Sequence, residues 1–239
     1  MSLKEEIVRW IKERVKEAKA KGIVVGLSGG IDSSVVASLS HEAMEEKVLG
    51  VIMPCQSSAD DEHYALMVAE KLRIKTKRIV LDSIYEEILK IFPSGNQLSI
   101  ANLKPRLRMI VLYYFANNLN YLVAGTGNKS EITVGYFTKY GDGGADILPL
   151  GGLLKSEVRE LAKELNIPGE IIEKPPTAGL WKGQTDEGEL GISYKELDRI
   201  IRGIELNNTE SLPLEKVTRV KELIKASQHK RLLTPVFEK

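Results

Sequence analysis

Residues 23–39 of the chain read IVVGLSGGIDSSVVASL: an apolar run, a glycine-rich turn and the start of a second apolar stretch. The run at 23–27 is rich in β-branched residues and bounded by glycine, which is typical of a buried strand. Asp32, Ser33 and Ser34 are favourable residues for the first turn of a helix. The segment therefore predicts a strand, a glycine loop and a helix in succession.

The same alternation of strand and helix continues through the first half of the chain. After an amphipathic helix in the first 20 residues, ended by Gly22, strands are predicted at 23–27, 48–53, 76–81 and 121–124, and helices at 59–72, 83–91 and 100–118. This order indicates a parallel sheet with helices on both faces, a doubly wound, Rossmann-like α/β fold. Ligands on such sheets bind at the carboxyl ends of the strands, near the point where the strand order reverses.

The second half of the sequence alternates predicted helices with two long loops. The helices are predicted at 155–165, 193–206 and 215–226, and the loops, rich in Gly, Pro, Thr and Asp, cover 138–152 and 173–191. Loops of this length in a compact domain are commonly lids or binding segments. No internal repeat interrupts the pattern, so we expect one domain over residues 1–239.

Composition excludes several classes of function. The 239 residues include 34 Lys and Arg against 33 Asp and Glu, without the basic excess usual in nucleic-acid binders. The single Cys excludes a disulfide framework and a Cys-rich zinc site. The longest uncharged stretch, 109–128, contains four asparagines, which are costly in lipid, and the charged N-terminus lacks the apolar core of a signal peptide. We therefore expect a cytoplasmic protein with no nucleic-acid or membrane partner.

The loop GLSGGIDSS at 26–34 is the strongest local indication of a ligand site. Consecutive glycines let the backbone approach a ligand, while N–H groups at a helix N-terminus and the serine hydroxyls suit an anion. Asp32 would repel a bare phosphate, but it is favourable if Mg²⁺ lies between the two. The loop is neither a Walker P-loop nor GxGxxG. The alternative is a plain turn from strand to helix that Asp32 caps.

SGGIDS at 28–33 resembles the pyrophosphate-binding loop of the N-type ATP pyrophosphatases. That superfamily includes GMP synthetase, argininosuccinate synthetase, tRNA-thiolating enzymes and NAD synthetase. The resemblance implies that a substrate oxygen attacks the α-phosphate of ATP and that pyrophosphate leaves. It does not choose the substrate.

The stretch at 125–162, GTGNKSEITVGYFTKYGDGGADILPLGGLLKSEVRELA, gathers Gly, Lys and Asp beside the end of the fourth strand. Glu131 is a candidate second Mg²⁺ ligand opposite Asp32. Candidates to neutralise phosphates or to accept hydrogen bonds from a ligand are Lys139, Lys155, Asp142 and Asp146. The alternative is a solvated loop with one capped helix.

This stretch is similar to the NAD synthetase family, and three others agree in family order: NLKPRLRM at 102–109, PTAGLWKGQTDEGELGISYKELD at 176–198 and QHKR at 228–231. The resemblance implies ATP-dependent amidation of deamido-NAD with ammonia, through a NAD-adenylate, to give NAD, AMP and pyrophosphate, the last step of NAD biosynthesis. It also implies a homodimer with the dinucleotide site at its interface. The chain has no room for the glutamine-amidase domain of two-domain members, which favours free ammonia.

The resemblance also implies roles for individual residues, by matched position. The ATP-binding residues would be Gly26, Leu27, Ser28, Gly29, Gly30, Ile31, Asp32, Ser33, Thr126, Lys155 and Thr177. Deamido-NAD would contact Arg106, Lys139, Asp146, His229 and Lys230. Mg²⁺ would bind Asp32 and Glu131, and the catalytic set would be Asp32, Glu131, Lys155 and Asp146, the last holding the incoming ammonium. Leu98 stands where some relatives place an aromatic against the nicotinate ring.

Some positions stay open on the sequence alone. Arg106 and Arg108 lie two apart on a predicted helix and so face different directions, one toward a ligand and the other toward the surface or an interface. The same helix is apolar over more than one stripe, which would let it cover both the sheet and a partner. Cys55 has no histidine placed beside it, which favours a packed thiol over a glutaminase nucleophile. A different enzyme of the superfamily and a non-catalytic ATP sensor are the alternative functions.

Overall fold

The computed structural model describes residues 1–181 and 183–238 and contains one parallel sheet. Its strands are β1 (Ile23–Gly26), β2 (Val48–Ile52), β3 (Lys75–Arg78) and β4 (Leu122–Ala124). They lie in the order β3-β2-β1-β4, with Val24 paired to Leu49 on one side and to Val123 on the other. The chain adds β2 and β3 to one side of β1 and β4 to the other, so the strand order reverses between β1 and β4.

Helices connect and flank these strands. They are α1 (Leu3–Glu17), α2 (Ile31–Met44), α3 (Ala59–Leu72), α4 (Asp82–Ile91), α5 (Gln97–Ala101), α6 (Leu103–Leu119), α7 (Lys129–Val134), α8 (Lys155–Glu164), α9 (Gly169–Glu173), α10 (Asp186–Leu190), α11 (Tyr194–Glu205), α12 (Leu214–Ala226) and α13 (Gln228–Arg231). None of the helices in the described part of the chain is long and apolar enough to span a bilayer.

The side chains of β1 divide the core between the two faces of the sheet. Ile23 and Val25 belong to a buried cluster with α1, α2, α3, α8 and α9, whereas Val24 belongs to a second cluster with α4 and α6. Successive side chains of a strand point to opposite faces, so an uninterrupted apolar strand requires cover on both. The predicted doubly wound fold is confirmed. A third cluster joins α7, α10, α11 and α12.

Two predicted helix boundaries are wrong for backbone reasons. The long helix predicted at 100–118 is two helices, α5 and α6, which meet at Asn102. Pro105 has no N–H to donate to the carbonyl of Ala101, so a continuous helix cannot form there. Helix α1 ends at Glu17 rather than at Gly22, and Lys19 adopts a left-handed φ of +52° just after it.

The third strand is also shorter than predicted. It ends at Arg78 rather than Leu81, and all of its residues are exposed because β3 is the edge of the sheet. Beyond it, the N–H of Leu81 donates to the carbonyl of Pro54 at 2.8 Å, and α4 begins at once. The long loop predicted at 173–191 contains α10, and Lys182 within that loop lies outside the described residues.

Candidate active site

A cavity of about 760 Å³ lies where β1 and β4 end, at the point of reversed strand order. Its wall includes the glycine loop, the residues that follow β4, and the segment between α9 and α10. The fold therefore places the ligand site where open parallel sheets bind ligands.

The glycine loop takes a conformation that requires glycine. Gly29 has a φ of +75°, and a Cβ at this position would lie 2.2 Å from the carbonyl oxygen of Asp61. The hydroxyls of Ser33 and Ser34 donate to the carbonyl of Gly30, at 2.9 and 2.8 Å. These two hydroxyls, which we expected to face an anion, are instead engaged in the first turn of α2. The Ser28 hydroxyl donates to Ser33 Oγ at 3.1 Å, so the loop is left with main-chain groups to present to a ligand.

Three charged side chains from three helices meet beside this loop. Asp32 lies in the first turn of α2, Glu131 lies in the first turn of α7, and Lys155 is the first residue of α8. The Lys155 ammonium forms an ion pair with Asp32 Oδ2 and lies 3.2 Å from Glu131 Oε1. The side chain of Lys155 is only 3% exposed, against 17% for Asp32 and 16% for Glu131. Gly30 is the N-cap of α2, so the alternative in which Asp32 merely caps a turn is wrong.

Asn128, which the sequence analysis did not single out, orients both carboxylates. It forms a capping box with Glu131, in which Asn128 Oδ1 accepts from the Glu131 N–H at 3.0 Å and Glu131 Oε2 accepts from the Asn128 N–H at 3.3 Å. Its Nδ2 also donates to Asp32 Oδ1 at 3.0 Å. Each carboxylate thus has one oxygen bonded to Asn128 and the other facing Lys155. A local helix cap therefore becomes part of the site.

Asp198 of α11 sets the spacing between α7 and α8. This buried carboxylate accepts from the Ser130 hydroxyl and, at 2.8 Å, from the Ser156 N–H. The Lys155 N–H donates in turn to Ser130 Oγ at 3.0 Å. Because Ser130 precedes Glu131, one buried aspartate positions the start of both helices that carry the site.

Two tyrosines connect the charged cluster to Asp186, the first residue of α10. The ring of Tyr194 lies 5.1 Å from the Lys155 ammonium, and its hydroxyl lies 3.3 Å from Glu131 Oε1 and 3.0 Å from Asp186 Oδ2. The Tyr136 hydroxyl lies 3.1 Å from Asp186 Oδ1. Asp186 is buried.

The electrostatics of the cluster follow from its burial. Burial raises the pKa of Glu131, and the neighbouring charges of Asp32 and Asp186 add to the rise, while Lys155 opposes it. Burial by itself lowers the pKa of Lys155, but the two carboxylates outweigh it, so that the pKa lies above its ordinary value. The ammonium is therefore a permanent cation at neutral pH.

The candidate dinucleotide contacts form a chain of bonds along the cavity wall. Arg106 Nη2 donates to the carbonyl of Lys139 at 3.3 Å, and Lys139 Nζ donates to the carbonyl of His229 at 2.7 Å. Lys230 Nζ donates to the carbonyls of Gly135 and Phe137, at 2.8 and 2.9 Å. These bonds hold the C-terminal α13 against the loop after α7. The wall includes Arg106, Lys139, His229 and Lys230.

Most of the other predicted site residues also reach the wall. They are Gly26, Leu27, Ser28, Gly30, Ile31, Asp32, Ser33, Leu98, Thr126, Glu131, Lys155 and Thr177. The Thr177 hydroxyl donates to the carbonyl of Gln184 at 2.8 Å, a bond between two residues of the segment that joins α9 and α10.

Among the described residues, the wall does not include Gly29 or Asp146. The Asp146 carboxylate accepts from the Val123 N–H at 2.7 Å and from the Tyr113 hydroxyl at 3.1 Å. Asp142, which we expected to accept from a ligand, does lie on the wall, and its carboxylate accepts from the Thr138 N–H at 2.9 Å.

Arg108 is a basic residue of the wall that was not assigned from the sequence. Behind the wall, Lys104 is 4% exposed, and its Nζ donates to the carbonyl of Leu180 at 2.9 Å. Arg108 donates to the Met53 carbonyl and to Ser57 Oγ, both at 3.2 Å, and burial lowers its pKa. The spacing was informative, because Lys104 and Arg108 lie four apart and so share one face of a helix.

Cys55 is fully buried, as expected of a packed thiol. Its N–H donates to Ser57 Oγ at 3.2 Å, and burial raises the pKa of its thiol, with Arg108 and Lys104 opposing the rise. A protonated thiol is a poor nucleophile.

The donor chemistry at Asp32 and Glu131 fits Mg²⁺. Over the described residues there is no group of three or more His, Cys, Asp or Glu side chains that could hold a metal by themselves. Mg²⁺ in nucleotide sites is commonly held by one or two carboxylates, with substrate phosphates and water completing its shell. Two carboxylates that share one cation beside an anion-binding loop match that pattern.

A parallel α/β sheet with a glycine loop at its switch point, and with paired carboxylates and lysines in the cavity beside it, defines a nucleotide-binding protein equipped for phosphate chemistry. The sequence matches the NAD synthase family over residues 3–234, and the chain belongs to that family.

Individual relatives agree with this assignment. An NH(3)-dependent NAD(+) synthetase of Carboxydothermus hydrogenoformans is 48% identical over 237 residues, covering 97% of this chain and 95% of that protein. The solved NH3-dependent NAD synthetase of Campylobacter jejuni is 32% identical with a TM-score of 0.87, covering 100% of both chains. The solved NMN synthetase of Francisella tularensis is 39% identical with a TM-score of 0.90, covering 98% of both.

Proposed function

We propose that this chain catalyses the ATP-dependent amidation of deamido-NAD with ammonia, giving NAD, AMP and pyrophosphate. The observation that carries the proposal is the meeting of Asp32, Glu131 and Lys155 beside the glycine loop, in a chain of the NAD synthase family. A carboxylate pair for a metal, a buried cation and main-chain donors are what the displacement of pyrophosphate from ATP requires.

ATP binds over the glycine loop in this proposal. Residues 26–33 present main-chain groups to its phosphates, and Thr126, Lys155 and Thr177 line the same cavity. Mg²⁺ on Asp32 and Glu131 supplies charge neutralisation at the phosphates when it is bound. Two carboxylates that already share a cation support this assignment.

In the first step, an oxygen of the nicotinate carboxylate of deamido-NAD attacks the α-phosphorus of ATP. A bond forms between that oxygen and the phosphorus, the bond to pyrophosphate breaks, and a NAD-adenylate results. Lys155 and the N–H groups of the glycine loop stabilise the negative charge that develops on the leaving pyrophosphate. Ammonia then attacks the acyl carbon, AMP leaves with the bonding electron pair, and one proton is released.

Deamido-NAD contacts Arg106, Lys139, His229 and Lys230 in this proposal, and their line along the cavity wall supports it. Asp146 contacts the dinucleotide from a different side. Its partner Tyr113 belongs to α6, where Ile110 and Tyr114 are 59% and 66% exposed. We place this face in a homodimer interface, so that a second copy brings Asp146 and its ammonium-holding role to a shared site.

We also propose that the protein is a single domain over residues 1–239, and that it acts in the cytoplasm without a nucleic-acid partner. The near balance of 34 basic and 33 acidic residues supports the absence of a nucleic-acid partner.

A second candidate is amidation of the deamido form of NMN, the mononucleotide. It is favoured by the similarity to the NMN synthetase of Francisella tularensis. Both substrates carry the same reacting carboxylate, so the chemistry at Asp32 and Glu131 would be unchanged. They differ in the AMP half, which only the dinucleotide has.

The test measures AMP and pyrophosphate formation with ATP and ammonium, and with deamido-NAD or deamido-NMN in parallel. We expect deamido-NAD to be preferred and glutamine to be inactive as the nitrogen source. An enzyme that forms no AMP in the presence of deamido-NAD contradicts the proposal, and a preference for deamido-NMN selects the second candidate. Asp32→Ala should abolish turnover while the circular dichroism spectrum stays native, and normal turnover would remove the Mg²⁺ assignment.

A further inference from the structure

The Lys155 ammonium lies between the two carboxylates that would hold a divalent cation. The two oxygens that it approaches, Asp32 Oδ2 and Glu131 Oε1, are the ones that Asn128 leaves free, since Asn128 bonds to the other oxygen of each carboxylate. A metal ion held by Asp32 and Glu131 would therefore compete with the ammonium for these carboxylates.

The environment holds the ammonium in that position. Its side chain is 3% exposed, and the ring of Tyr194 lies 5.1 Å from Nζ. The main chain of Lys155 is fixed by Ser130 at the start of α8. The ammonium can leave the two carboxylates only when another anion receives it, because a buried, unpaired ammonium is strongly unfavourable.

We infer that Lys155 is a resident counter-ion that prevents free divalent metal from binding, and that the metal enters only together with a nucleotide whose phosphates draw the ammonium away. Lys155 then serves twice: it neutralises Asp32 and Glu131 in the free enzyme and the phosphates in the loaded one. The inference rests on the proposed Mg²⁺ role of Asp32 and Glu131. It goes beyond that role by assigning an order of binding to the enzyme.

Electrostatics makes the exclusion substantial. A divalent ion that enters beside the ammonium would place three positive charges next to Asp32 and Glu131, with Asp186 as the one further carboxylate whose charge acts on this cluster. Even in a partly solvated environment, a unit charge a few ångströms away changes an ion's affinity by well over tenfold. Replacing Lys155 with an uncharged side chain should therefore open the site to metal without nucleotide.

The experiment is equilibrium dialysis of the full chain against Mn²⁺, with metal bound per chain as the readout. Wild type is measured alone and with a non-hydrolysable ATP analogue. Lys155→Met removes the charge and Lys155→Arg keeps it. Lys174→Met is the matched control, because Lys174 also pairs with one carboxylate, Asp61, and lies 5.1 Å from a tyrosine ring, that of Tyr64.

We expect wild type, Lys155→Arg and Lys174→Met to bind Mn²⁺ only with the nucleotide. Lys155→Met should bind one Mn²⁺ without it, at least about tenfold more tightly than wild type, and should lose that ion when Asp32→Asn is added. Tight one-to-one binding to nucleotide-free wild type would overturn the inference while leaving the proposed function intact. Failure of Mn²⁺ to bind wild type even with the analogue would instead remove the metal assignment itself.

Lys155→Met leaves two carboxylates without a cation, and circular dichroism with and without Mn²⁺ shows whether it folds. Should it remain unfolded in both, the wild-type and Lys155→Arg measurements still decide the matter. Metal binding by either of them without nucleotide refutes the inference, and binding only with nucleotide upholds it.

Discussion

Replacing Asp198 tests whether one buried carboxylate holds the two site helices together. Its side chain accepts from the Ser130 hydroxyl and from the Ser156 N–H, the second of which lies in the first turn of α8. Asp198→Ala removes both acceptors. A hydrogen bond to a charged group contributes about 1.5–3 kcal/mol, and a buried donor left unpaired costs a similar amount, so we expect a loss of about 3–5 kcal/mol in the free energy of unfolding.

Asp198→Asn is the matched variant, because it keeps the shape and loses only the charge. The amide oxygen can still accept from the Ser156 N–H, and the amide nitrogen can donate to Ser130 Oγ. We therefore expect a loss of only about 1–2 kcal/mol. For a chain of this size, roughly 2–4 °C of Tm correspond to each kcal/mol, so the alanine variant should melt roughly 10 °C lower and the asparagine variant roughly 4 °C lower.

Guanidinium denaturation followed by circular dichroism measures both variants, and the steady-state rate of AMP formation is measured beside it. The asparagine variant should keep most of its kcat/KM. The alanine variant should lose at least about tenfold even where it is fully folded, because Glu131 and Lys155 are no longer held in register. Equal losses of stability in the two variants, or an alanine variant with unchanged kinetics, would refute the reasoning.

Three further predictions follow from burial and exposure. Cys55 should react with a disulfide reagent at least about 100-fold more slowly in the native protein than in guanidinium, because its thiol is buried with a raised pKa, and fast native labelling would contradict this. Because burial raises the pKa of Glu131 above its ordinary value of 4.5, the folded state keeps a proton there that the unfolded chain loses. The contribution of Glu131 to stability in metal-free buffer should therefore fall as the pH rises from 4.5 through the raised pKa, and Glu131→Gln should flatten that part of a urea-midpoint curve. Ile110, 59% exposed on α6, should lie in the dimer interface, so Ile110→Glu should halve the mass measured by sedimentation. A wild-type protein that is monomeric at micromolar concentration would contradict the dimer assignment.

The sequence predicted the parts of the site that depend on local backbone chemistry. The glycine loop was recognisable from its consecutive glycines between a predicted strand and a predicted helix, and the structure adds that a Cβ at Gly29 would collide with the carbonyl of Asp61. The position of Glu131 was recognisable because it follows the predicted fourth strand. Helix boundaries were less predictable: Pro105 divides the long helix, although the apolar pattern continues through it.

The network around these residues could not be predicted, because its members are far apart in the chain. Tyr136, Asp186 and Tyr194 read as ordinary residues of a polar loop and of helix ends, yet they meet through hydroxyl–carboxylate bonds. Asp146 shows the opposite case. It lies in the matched stretch, but its carboxylate is bonded to Val123 and Tyr113, outside the wall of the cavity in a single copy of the chain.

By itself, then, the sequence determined the layered fold, the glycine loop after the first strand and the family to which the chain belongs. The fold and the loop depend on side-chain periodicity and on backbone freedom, which act between near neighbours, whereas the family was recognised from the resemblance of several motifs in order. Only the tertiary structure decided that Lys155 lies between Asp32 and Glu131. It also decided that Asn128 bonds to one oxygen of each carboxylate, so that the other oxygen faces Lys155. Along the chain, Asp32 and Glu131 are about a hundred residues apart, and Glu131 and Lys155 are about two dozen apart. Their pairing results from the burial of three helix ends against one sheet edge, where an unpaired charge would be too costly to keep.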